Sequence, residues 1–246
     1  MLNAYRQYRA AKAKSRIYRI CRNSLVAITA AYFFIICFPQ ILFAHEIKHK
    51  NFKVYSSQPF DENVYKILDD AEMRLSKSTI NNPEISRRVF LTNSHSIYTF
   101  LSNKAFRSFA NSVPLINNIL INKSDTANDL VYMNRPENNK RSLSGVIAHE
   151  VTHLFIREKF GNLSGLTLPT WKIEGYCEYI AGDTTITFEE GVRRWKENPS
   201  DDSKYSYFKY TLRVKYLLET ENLTIDEVFK RDFDEKELDA KVFNSI

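Results

Sequence analysis

Two histidines and a glutamate set the chemistry open to this chain: His149-Glu150-Val151-Thr152-His153. On a helix, residues four apart share a face, because four residues make slightly more than one turn. Two imidazoles so placed can hold one tetrahedral zinc, and the glutamate between them can stand beside the metal and take a proton from a water. A catalytic zinc needs one more protein ligand and one open position. A glutamate in a second helical pattern shortly downstream is the natural supplier. Glu174, within Trp171-Lys172-Ile173-Glu174-Gly175-Tyr176-Cys177-Glu178-Tyr179, is such a glutamate.

With five histidines in 246 residues, a chance HExxH is expected in well under about 1% of chains this size. The pattern nevertheless occurs twice, since His45-Glu46-Ile47-Lys48-His49 also fits. Context separates the copies. Residues 143–160 read as one helix, with Ser142 or Ser144 as N-cap and Gly161 past its end. At roughly 100° per residue, Ile147, Val151, Leu154 and Phe155 fall on one side, and Val146, His149, Glu150 and His153 on the other. A core face and a separate chemical face are expected. The first copy has no comparable apolar stripe, sits among Lys48, Lys50 and Lys53, and abuts an apolar segment. It is read as coincidence, with His45 and His49 as bystanders.

The segments Gly145 to Phe155 and Leu168 to Gly182 together resemble the gluzincin zinc peptidases, in particular the small peptidase-MA-like domains. The second motif of those domains is roughly W-x-x-E-G-x-A-x-Y. Here Cys177 replaces the usual alanine. The resemblance is specific over about residues 143–181 and looser from about 87 to 230. It implies a zincin-like α+β domain, a small mixed sheet with active-site helices, and Zn2+ held by His149, His153 and Glu174. It also implies that Glu178, one turn after Glu174, orients a ligand histidine; on physical grounds a ligating imidazole usually donates its other N–H to a carboxylate. A hydroxyl donor typically stabilises the oxyanion of peptide hydrolysis. The family's tyrosine, seven residues before a V-x-Y-L pattern, lands on Tyr207 ahead of Val214-Lys215-Tyr216-Leu217. Aromatic packing is the competing account of Tyr207.

Delivery is written at the start of the chain. The first 23 residues carry seven cations (Arg6, Arg9, Lys12, Lys14, Arg16, Arg19, Arg22) and no acid, so the formal charge of +6 is local to this arm. The balanced remainder gives no reason to expect nucleic acid as a partner. Residues 24–44 are almost wholly apolar and long enough for a hydrocarbon core of roughly 30 Å. Cations before the span place the N-terminus in the cytoplasm and the domain outside it. Two readings stand: a permanent single-pass anchor in the cell membrane, or a signal sequence cut after Ala44 that releases a secreted protein.

Of three cysteines only Cys177 lies beyond the apolar segment, so no intrachain disulfide is expected in the exported part. Cys177 reads as a small core residue beside the metal, with a fourth ligand as the alternative. Residues 50–58 read as a strand or linker. Asp61 to Ser78 reads as a helix with Val64, Ile67, Leu68, Ala71 and Leu75 on one stripe. Residues 88–92, 115–122 and 129–134 are strand candidates, with a polar separator at 123–128, and Ser96 to Phe106 looks helical. His95 reads as a capping or surface histidine. Residues 117–123 are the candidate edge on which a peptide could pair, or else an ordinary sheet strand. Phe188 to Trp195 reads as a helix, followed by a polar break at 198–202, a tyrosine-rich helix ending near Leu218, a short helix from Thr224 and a charged surface tail.

Together these give a basic arm (1–23), an anchor or signal (24–44) and a zincin-like metallopeptidase domain (45–246) that hydrolyses peptide or protein substrates. Two alternatives remain at this level. One is a catalytically inactive, membrane-tethered binding protein that keeps the fold. The other is a zinc amidase acting on cell-wall peptides.

Overall fold

A computed structural model describes residues 2–102, 108–134, 140–184, 186–197 and 202–246. The chain forms two compact units, Met1–Leu42 and Phe43–Ile246. The first is one helix, α1 (Leu2–Cys37), followed by a 3-10 turn at Pro39–Leu42. The helix is long and apolar enough to cross a membrane. Its basic and apolar stretches are continuous, with no break at residue 23. It stops short of Ala44 because Pro39 lacks an N–H and disfavours helical backbone at the residue before it.

The second unit is mixed α+β. Strands β1 (His45–His49) and β2 (Phe52–Ser56) form a hairpin, and helix α2 (Val64–Leu75) leads to β3 (Arg87–Leu91). Helix α3 (His95–Ser102), β4 (Ala110–Val113) and β5 (Asn118–Ile121) complete a five-stranded sheet in the order β1-β2-β3-β5-β4. The β2, β3 and β5 strands run parallel, and β1 and β4 lie antiparallel at the two edges. A separate antiparallel sheet joins β6 (Lys123–Asp125), β7 (Leu130–Tyr132) and β8 (Lys140–Ser142).

Helix follows helix from there: α4 (Leu143–Phe160), α5 (Ser164–Thr167), α6 (Thr170–Ala181), α7 (Phe188–Glu197) and α8 (Asp202–Lys215). A π-helical turn (Tyr216–Thr220), α9 (Ile225–Lys230) and α10 (Glu235–Ser245) close the chain. The core stripe expected on α2 is buried at all five positions. Interior strand β5 is buried throughout.

Several expectations are corrected. Of the two readings of residues 117–123, the ordinary sheet strand holds over Asn118–Ile121 and the edge does not: β5 is flanked by β3 and β4, the edge on that side of the sheet belongs to β4, and Lys123 begins β6. Left-handed backbone at Leu115 and Asn117 makes the turn between β4 and β5, so the strand begins only at Asn118. The polar separator contains a strand, β6, because its backbone pairs with β7 whatever its side chains are. The charged tail is largely helix α10, which buries Leu238 and Val242 under a charged outer face. The expected helix at 96–106 is present through Ser102, and its end lies outside the described residues, as does the polar break at 198–201.

Candidate metal centre

The site is built where α4 meets α6. Ser142 caps α4, accepting a hydrogen bond from the Gly145 N–H at 3.1 Å. The Asp129 carboxylate takes the Ser144 N–H (2.8 Å) and hydroxyl (2.9 Å), tying the helix start to the loop before it. Past its end Gly161 sits at φ 98°, left-handed backbone that favours glycine. The helix is buried on both sides, including Val146, His149 and Glu150 on the face expected to be chemical. The reason is tertiary: α2, α6 and the sheet at β4 and β5 all pack on α4.

Helix α6 comes close because of Gly175. A Cβ there would lie 2.4 Å from the Tyr210 carbonyl oxygen and 2.8 Å from its carbon, so the α8 backbone occupies the space of a side chain. The glycine after Glu174 therefore serves helix packing, and the packing aims Glu174 at α4.

The two motifs converge. His149 Nε2 and His153 Nε2 are 3.2 Å apart. Glu174 Oε2 lies 3.3 Å from the first and 3.8 Å from the second. Two nitrogens about 2.1 Å from a tetrahedral zinc would be separated by about 3.4 Å, a spacing comparable to the one between these donor atoms. The Cys177 sulfur belongs to the same group: it and one nitrogen of each imidazole all lie within 4.8 Å of one another.

Behind His149 stands Glu178. Its Oε1 is 3.3 Å from His149 Nδ1, close enough for strong attraction but off the line of a well-formed hydrogen bond. Arg141 grips the same carboxylate bidentately, Nη1 to Oε1 and Nη2 to Oε2, both 2.8 Å. Arg141 also donates to the Asp183 carbonyl, and its Nε lies 3.9 Å from the Asp183 carboxylate.

The electrostatics follow from this enclosure. Burial alone would raise the Glu178 carboxyl, yet His149 and Arg141 beside it prevail and hold it below the usual range. Burial alone would lower the His149 imidazole, yet Glu178 and Glu174 push it up to about 10. A proton between carboxylates thus fills the electrostatic role that a cation would take. Burial lowers His153, and the neighbouring His149 adds to this. Burial and three carboxylates push the Cys177 thiol well up, keeping it a neutral thiol without a metal.

Glu150 is almost wholly covered, and among the described residues no hydrogen bond or ion pair engages its carboxylate. Tyr207, on α8, is half exposed. Its hydroxyl is raised by local burial and then by the charges of Glu174, Glu178 and Glu150. It therefore sits within their field, and none of the described residues hydrogen-bonds to the hydroxyl. His95 is elsewhere, bonded through Nδ1 to Asn122 at 2.8 Å, and Ser94 accepts from the Ile97 N–H at the start of α3.

The first HExxH copy forms strand β1. Four residues of strand separate His45 from His49 by roughly 13 Å, too far to share an ion. His49 instead pairs with Asp69 at 2.7 Å.

Sequence reasoning missed Arg141, Asp183 and Arg157. Nothing local marks the first two, whose roles depend on contacts some forty positions away. Arg157 was visible, since it falls on the face of His153 and Glu150 one further turn along. No protein family matches the chain, and no curated protein matches it.

Proposed function

We propose that this is a zinc-dependent peptidase with a zincin-like domain, carried on a membrane by α1 and facing away from the cytoplasm. The observation that carries the reading is the convergence of His149, His153 and Glu174 within hydrogen-bond-like distances, with Glu150 beside them and unengaged. The metal, once bound, would supply a Lewis acid that acidifies a water and polarises the scissile carbonyl.

The chain's own residues do the rest. His149, His153 and Glu174 would hold the ion. Glu178 attracts a proton to His149 Nδ1 and so leaves the Nε2 lone pair for ligation. Glu150 accepts the proton of the attacking water at its carboxylate and delivers it to the leaving amine nitrogen. Tyr207 donates its hydroxyl hydrogen to the oxyanion. Edge strand β4, which packs on α4 and has no further strand beside it among the described residues, offers its outer backbone groups to an extended peptide. The orientation rests on the seven cations and absence of acids before the apolar stretch.

Cys177 carries a second reading. A site closed by His149, His153, Glu174 and the Cys177 thiolate would have no open position and would be structural. One experiment addresses both: zinc per chain after dialysis, beside the rate on an unfolded protein. Under the peptidase reading Glu150→Gln keeps zinc and loses nearly all hydrolysis, Glu174→Gln loses zinc, and Cys177→Ala keeps both. Full activity in Glu150→Gln refutes the mechanism. Loss of zinc in Cys177→Ala establishes the closed site instead.

A further inference from the structure

Arg157 lies one turn past His153 and two turns past Glu150 on the same face of α4. It is only 9% exposed. Its Nη1 donates to the Ser112 hydroxyl on β4 at 3.2 Å. Its Nε and Nη2 are shut off from solvent, and among the described residues they have no hydrogen-bond partner and no carboxylate forms an ion pair with the guanidinium. These two nitrogens form the side-on edge of the guanidinium, the edge that matches a carboxylate bidentately. A guanidinium does not discharge itself by losing a proton, and a buried charge left unpaired is strongly unfavourable. Two readings compete: Arg157 is a strut that pins β4 to α4 through Ser112, or it waits for an anion.

The surroundings favour the anion. Helical side chains lean toward the N-terminus, which carries Arg157 toward the metal ligands. Arg157 shares the α4 face that carries His153 and Glu150, and the Glu150 charge acts on its guanidinium. Neutral Ser112 gives it one hydrogen bond and leaves the bidentate edge unused. Ser112 lies on the edge strand, and a peptide added to β4 would send alternate side chains toward α4. Arg157 is about 6 Å along the helix from His153, which is the reach of about two peptide residues.

Resting on the peptidase reading, we propose that Arg157 is a specificity residue that binds a substrate carboxylate within about two residues of the scissile bond. The carboxylate is either the C-terminus of the peptide or an acidic side chain.

The test uses the full-length protein in detergent with Glu150→Gln in the background, so that peptides bind without being cut. The probes are short fluorescein-labelled peptides in matched pairs: free C-terminus against C-terminal amide, and internal Asp against Asn. Affinity is read by fluorescence anisotropy, with and without zinc. At least one pair should favour the acid by about tenfold or more. The first pair reports a terminal carboxylate and the second a side chain. Arg157→Met should bring the preference near unity and, by removing an unpaired buried charge, should raise the melting temperature of the peptide-free protein. Equal affinities within both pairs, or a preference that survives Arg157→Met, overturn the proposal. So does a lowered melting temperature with no change in preference, which is the strut's signature. Should Arg157→Met fail to fold, Arg157→Lys keeps the charge without the fork and should lose most of the preference; an unchanged preference there is equally fatal. Absence of hydrolysis in the otherwise unaltered protein would defeat the peptidase reading alone, since the anisotropy measures the anion site directly.

Discussion

Replacing Arg141 by Met tests whether the pair behind His149 governs the metal centre. Arg141 and Glu178 make two 2.8 Å hydrogen bonds, with side chains only 8% and 3% exposed. Removing one partner of so buried a pair typically costs about 3–5 kcal/mol. Glu178 would retain His149 at 3.3 Å, so the lower end, about 3 kcal/mol, is expected. That is a large share of a domain stability of about 5–15 kcal/mol. Glu178→Gln leaves Arg141 with Asp183 and should cost about 2 kcal/mol. The double variant should cost less than the sum of the singles by about 1.5 kcal/mol or more, because both remove the same contact. Zinc affinity in Glu178→Gln should fall by about 10–100-fold.

Urea unfolding of the metal-free protein and a competitive chelator titration read the two effects. The pH dependence has a definite sign. Glu178 is depressed in the fold, so its contribution is complete above the unfolded value of about 4.3 and is lost as pH falls through its folded pKa. His149 is raised, so its contribution is complete below about 6.5 and is lost as pH climbs toward about 10. The stability difference between the native chain and Glu178→Gln, both without metal, should therefore be greatest between roughly pH 4.5 and 6.5. An Arg141→Met protein with undiminished stability and zinc affinity would refute the role given to the pair.

Gly175→Ala should destabilise the domain by about 2–3 kcal/mol, since its methyl meets the Tyr210 carbonyl on α8 at 2.4 Å. It should also weaken zinc binding by displacing Glu174, and an unaltered urea midpoint would contradict the close packing of α6 on α8. Replacing His45 and His49 together by Ala should leave zinc content unchanged and cost under about 1 kcal/mol, as befits the half-exposed His49–Asp69 pair; a halved zinc content would mean that the wrong copy has been assigned.

The sequence by itself determined what depends on neighbours a few positions apart. The extent of α4, its serine cap and its glycine stop follow from local backbone chemistry, and the buried stripe of α2 follows from helical period. The facing of His149 and His153 follows from the same period. Strand order is different in kind, because β5 is interior and β4 is the edge only by virtue of pairings between distant segments. The short, polar β4, β6 and β8 carry no hydrophobic alternation that could announce them. His45 and His49 are parted by a strand that exists through its hairpin with β2.

The approach of Glu174 to the histidine pair needed the α6–α8 contact at Gly175, although its candidacy was legible. What only the tertiary structure decided is the charge environment. Arg141 reaches Glu178 across 37 positions, and Arg157 is stranded under β4 with its bidentate edge unused. Electrostatic energy depends on distance and burial in space, and neither is written in the spacing of residues along the chain.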